Sequence, residues 1–154
     1  MLKKIFMVIG ILAVIGVVVV VGGSVYFASK IATAVEEKEP EFRQYVTMTT
    51  EEQNVYVEKN VEEIFDIVFP LSGANDQELA QMKAVMKELD NNPEIRQAKI
   101  DWGRSAVAMF IVDNETITKD LSPEILKSLQ AERAEYDLRQ LKYKQLIENY
   151  KLKQ

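Results

Sequence analysis

From Ile5 to Ala28 the chain carries no charged side chain, and Val, Ile and Leu dominate the run. Its twenty-four residues, at about 1.5 Å each in a helix, span roughly 36 Å, more than the ~30 Å hydrocarbon core of a bilayer. β-Branched residues are mediocre helix formers in water, but in lipid an unpaired backbone is so costly that a lone span must be helical. Tyr26 and Phe27 sit at one end, where aromatic rings favour the interface. Lys3 and Lys4 flank the run on one side, and Lys30 followed by Glu36, Glu37 and Glu39 flanks it on the other. The positive-inside rule then places residues 1–4 in the cytoplasm, 5–29 in the cell membrane as a single-pass signal anchor, and the rest on the extracytoplasmic side. A cleaved signal peptide ending at Ala32-Thr33-Ala34 is the rival reading. The apolar run is much longer than the roughly 7 to 15 residues of such a peptide's core, and Lys30 occupies its normally neutral end, so the anchor is preferred.

Beyond the run the pattern changes to amphipathic helices. Residues 30–48 read as a juxtamembrane linker in which the membrane helix continues to about Lys38 and meets a hinge near Glu39, the residue constrained by Pro40. Residues 49–154 read as one acidic helical domain. Thr49 and Thr50 ahead of Glu51, Glu52 and Gln53 form overlapping capping boxes for a helix that runs to about Phe69 and stops before Pro70. Val57, Val61, Ile64 and Val68, with Phe65 beside them, supply its apolar stripe. Ser72 to Asp76 is turn chemistry, and Asp76 caps a helix to Leu89 with Leu79, Met82, Met86 and Leu89 on one side.

Asn92-Pro93-Glu94 and Ser122-Pro123-Glu124 repeat one start signal, a cap followed by proline and an acid in the first turn. Between them Ile95, Lys99, Trp102, Ala106 and Phe110 share a helical face, which predicts a helix from Pro93 to about Ile111. The alternative is a β-hairpin within 98–118, where Gly103 would serve a turn rather than weaken a helix. The last segment, Pro123–Gln154, has no glycine or proline after its start and predicts one helix about 45 Å long.

That last helix has two apolar sides. Leu129, Tyr136, Tyr143 and Tyr150 recur every seven residues with Leu126 and Ile147 close by, while Ala134, Leu138, Leu141 and Leu152 form a second strip. Two apolar sides require two neighbours, so the helix is expected to pack on its own domain and also on another chain or the membrane interface. Leu129, Tyr136, Leu138, Leu141, Tyr143 and Tyr150 are therefore the candidate partner-binding residues. Its end is basic, with Arg139, Lys142, Lys144, Lys151 and Lys153 against one acid, Glu148. An antiparallel arrangement against the acidic stretch Glu51 to Asp66 follows as an expectation.

Composition narrows the chemistry. The chain contains no cysteine and no histidine, which removes disulfides, the commonest metal ligands and every nucleophile–histidine relay. Paired acids such as Glu62-Glu63 point about 100° apart on a helix, and no calcium-loop or phosphate-loop motif gathers oxygens or amides. No metal, catalytic residue or cofactor is assigned. From Lys30 onward all 24 acids face 17 bases, the 19 of the chain less Lys3 and Lys4, a balance that argues against nucleic acid as a partner.

The sequence thus reads as a mainly α, non-catalytic interaction or scaffold protein, an accessory subunit of a membrane complex. Its expected partners are membrane lipid and a membrane protein or a second copy of itself. An envelope-spanning or lysis-type helical rod is the alternative, and a carboxylate-dependent anchored hydrolase would require a pocket with two convergent acids.

Overall fold

The computed structural model describes residues 33–68 and 76–152. Residues 33–37 are helical, and α1 (Glu39–Tyr45), α2 (Thr50–Val68), α3 (Asp76–Leu89), α4 (Pro93–Val112), α5 (Glu115–Thr118), α6 (Pro123–Ala134) and α7 (Tyr136–Leu152) follow. The run Ile5–Ala28 and the turn expected before Asp76 lie outside the described residues. Among those described, no helix is long and apolar enough to cross a membrane.

Pro40 dictates the first bend. It lacks the N–H that would bond the Glu36 carbonyl and its ring crowds that carbonyl, so the helix at 33–37 yields to a turn at Lys38, where α1 begins. Helical bonding persists on both sides, from Lys38 N–H to the Ala34 carbonyl (3.3 Å) and from Phe42 N–H to the Lys38 carbonyl (2.9 Å). The hinge expected near Glu39 is therefore a bend, and Val35, Phe42 and Tyr45 around it are all buried. Arg43 ties α1 to the neighbourhood of α5, donating to the Thr116 carbonyl (2.7 Å) and pairing with Asp120 (3.0 Å).

Local sequence signals set the later helix starts. At α2, Thr49 N–H donates to Glu52 Oε2 (2.7 Å) and Glu52 N–H to Thr49 Oγ1 (3.3 Å), a reciprocal capping box. The Thr49 bonds hold the Glu52 carboxyl below its usual range. Asn92 Oδ1 accepts from Glu94 N–H and Ile95 N–H at α4, and Ser122 Oγ accepts from Ile125 N–H at α6. The two Pro-Glu-Ile segments are thus two capped helix starts.

Residues 93–112 form a helix, and no strand occurs among the described residues. The hairpin alternative fails because the stretch from Ala98 to Ile111 is largely buried and α4 is wrapped by α2, α6 and α7, with Trp102, Ala106, Val107, Ala108 and Ile111 wholly buried. A helix contacted on several sides by other helices sits at the centre of a bundle. Gly103 has a packing role in that centre: a Cβ placed on it would lie 2.6 Å from Val57 Cγ1, so the missing side chain is where α2 approaches α4.

The single long C-terminal helix is corrected to two. Ala134 ends α6 and Tyr136 begins α7, with Glu135 N–H reaching back three residues to the Glu132 carbonyl (3.2 Å). Both halves pack on α4. A straight rod would diverge from a helix it crosses, and the one-residue break lets both halves keep apolar contact with it.

Gly103→Ala is expected to lower stability by about 1 kcal/mol, because overpacking costs about 1–3 kcal/mol and better helix propensity returns up to ~1 kcal/mol. Denaturant titration checks this, and Val57→Ala in the same background should cost less than it does alone, since it vacates the contested space. An unchanged midpoint in Gly103→Ala would show that α2 and α4 separate freely.

Candidate partner-binding face

The seven-residue spacing in α6 and α7 places Leu129, Tyr136, Tyr143 and Ile147 on the side that meets α4, and all four are buried. Trp102 is their counterpart. Its ring lies 5.6 Å from that of Tyr143, 6.2 Å from Tyr136 and, towards α2, 4.6 Å from Phe65, distances at which tilted aromatic pairs attract. Tyr150 is half-buried against the same core.

The six residues selected from sequence therefore do not form one surface. Leu129, Tyr136 and Tyr143 belong to the domain's own core and cannot also meet a partner, with Tyr150 at its edge. Leu138 and Leu141 stand outside, 62% and 50% exposed. The division follows from helix geometry: Leu138 lies two positions, about 200°, around from Tyr136. Gln145, seven positions on from Leu138, is exposed on the same side, and Ala131 and Ala134 of α6 are exposed as well.

Arg139 holds this segment in place. Its Nη1 donates to the Asp101 carbonyl (3.0 Å), to Ser105 Oγ (3.0 Å) and to the Glu132 carboxylate, joining both sides of the break to α4. Arg104 Nη2 lies 3.4 Å from the other Glu132 oxygen. A guanidinium offers a planar fork of donors, which suits it to several acceptors from different elements. In the sequence Arg139 appeared only as one cation of a basic tail; its place on the inward side of the kink was hidden because the kink itself was.

The opposite-charge pairing expected between α7 and α2 is also corrected. Glu58 pairs with Arg96 of α4, Asp66 with Lys83 of α3 (2.5 Å) and Glu63 with Lys38 at the first bend (2.5 Å). These three α2 acids are thus met by nearer elements, and α4 stands between α2 and α7. Exposed pairs contribute only about 0–1 kcal/mol each, too little to override the apolar packing that sets this order.

Clefts also mark the surface of the described residues. One of about 300 Å³ is lined by Glu58, Glu62, Lys87, Asp90, Arg96 and Lys99. Lys99 is buried there and paired with Asp90, as a charge inside a protein must be. Four acids (Glu58, Glu62, Glu63 and Asp90) and four bases (Lys59, Lys87, Arg96 and Lys99) line this cleft. Another, about 190 Å³, lies beside Arg104 and Glu132 and is edged by Tyr45, Met48 and Ile125. Compared with protein-family models, curated proteins and solved structures, the chain matches none.

Burial pushes the Tyr45 and Tyr136 hydroxyls up to about 12, from 10.0, and raises that of Tyr143 as well. Folding holds these protons more tightly than the unfolded chain does, so the contribution is complete below pH 10 and is lost as pH rises towards 12. Alkaline unfolding is expected in that window, together with a rise in tyrosinate absorbance as these three ionise; ionisation of all six tyrosines near pH 10 without unfolding would contradict the burial. The two sides of α7 should also respond differently to truncation. Tyr143→Ala is expected to cost about 3 kcal/mol, the large-to-small cost for a buried aromatic, and Leu138→Ala less than about 0.5 kcal/mol. Equal losses in urea titrations would mean that Leu138 is covered within its own domain.

Proposed function

We propose that this chain is a non-catalytic, membrane-anchored interaction protein, an accessory or scaffold subunit of a membrane complex. The observation that carries this reading is the outer strip of α7. Leu138 and Leu141 are large apolar side chains adjacent on one exposed face, whereas the tyrosines of the same helix are spent on the core. Two neighbouring leucines on a helix that the core already holds by its other side give a partner a firm apolar anchor. The anchor itself is supported by the run Ile5–Ala28 and by Val35. Val35 is only 4% exposed and belongs to the core, so cleavage after Ala34 would leave a charged amino terminus at a buried residue. The topology that follows has a cytoplasmic N-terminus and an extracytoplasmic domain. The same buried contacts favour a bundle over an envelope-spanning rod.

Two measurements test the reading. Intact-mass analysis of the membrane-purified chain is expected to find residues 5–29 retained; a mature chain starting at Val35 would remove the anchor from the proposal. Extraction in mild detergent should recover a stable assembly that Leu138→Asp with Leu141→Asp disrupts without lowering the melting temperature. An assembly untouched by that double substitution, with the fold intact, places the interaction elsewhere and overturns this assignment.

A further inference from the structure

We infer that the occupant of the outer α7 strip is the same strip of a second copy of this chain, paired antiparallel about a two-fold axis midway between Leu138 and Leu141. The inference rests on the reading of that strip as an interaction surface and supplies its partner. Charge complementarity along the strip selects this occupant. Glu135 and Lys142 are seven residues apart and lie on one flank of the leucine pair, while Asp137 and Lys144 are seven apart and lie on the other. On both flanks the acid precedes the leucines and the base follows them.

In a parallel pair equivalent residues would meet, acid facing acid and base facing base. In an antiparallel pair with a two-fold axis perpendicular to both helices, each flank faces the same flank of the second copy running the other way. Glu135 then meets the second copy's Lys142 and Asp137 its Lys144, with Leu138 opposite Leu141. Each acid and its base differ by two residues in distance from the axis, about 3 Å of helix rise, which a lysine side chain spans. The pairing is self-complementary, as a two-fold interface must be.

Two further observations support it. Glu135, Asp137 and Lys142 are exposed and Lys144 is half-buried, yet none of the four has an ion-pair partner among the described residues, although ten ion pairs occur there. Arg139, between the two leucines in sequence, is turned inward with its Nη1 bonded to Asp101, Ser105 and Glu132, so it does not stand at the axis to repel its own copy.

The test is a charge exchange in the full chain in detergent, read by sedimentation or mass photometry, with circular dichroism confirming that each variant is folded. The wild-type chain is expected as two copies. Lys142→Glu with Lys144→Glu makes every flank acidic, and Glu135→Lys with Asp137→Lys makes every flank basic. Each variant alone should dissociate at a concentration raised at least about tenfold, and mixing the two should restore a two-copy species containing one of each. Single-copy wild type, variants that remain paired, or a mixture that does not reassociate would each overturn the antiparallel pairing. The detergent extraction with Leu138→Asp and Leu141→Asp separates the readings: loss of a different protein from the assembly would keep the strip as an interaction surface while refuting self-association.

Discussion

The burial of Trp102 within α4 is the contact on which the rest of this fold depends. Phe65 from α2 packs on it on one side and Tyr136 and Tyr143 from α7 pack on it from another, so three elements distant in sequence share one aromatic centre. α4 can serve this way because small residues surround the tryptophan. Gly103, Ser105, Ala106 and Ala108 leave its backbone close to its neighbours, and at Gly103 the approach of Val57 has no room for even a methyl group. The large ring fills the space that the small residues leave open.

From that centre the polar groups are arranged in order of cost. A buried cation is expensive unless paired, and the two most enclosed ones, Lys99 and Arg104, each face a carboxylate. Arg139 goes further by satisfying acceptors on α4 and α6 at once, which makes the break at Glu135 a defined geometry instead of a loose joint. The break in turn lets the last forty-odd ångströms of sequence wrap the central helix, where an unbroken rod would leave it, and it decides which apolar strip is hidden. The exposed leucines are what remains once Trp102 has taken the tyrosines. The candidate interaction surface is therefore a by-product of core packing, presented on a helix that the core holds rigid.

The sequence by itself determined whatever depends on neighbours along the chain. The capping box at Thr49, the asparagine cap before Pro93, the serine cap before Pro123 and the bend enforced by Pro40 are all local, because a side chain reaching three residues ahead or a ring lacking an N–H acts whatever the rest of the molecule does. The apolar run Ile5–Ala28 is likewise a feature of the sequence alone, and it lies outside the described residues. The buried side of the last helix was also readable from its sevenfold spacing. Only the tertiary structure decided that this spacing and the Leu138–Leu141 strip serve different neighbours, that the helix breaks at a residue with no helix-breaking chemistry, and that the acids of α2 meet Arg96, Lys83 and Lys38 rather than the basic tail. The reason is that two apolar faces compete for one core: which of them wins, and which charges are then brought within reach, depends on the shape of α4 and not on any signal carried within the helix itself.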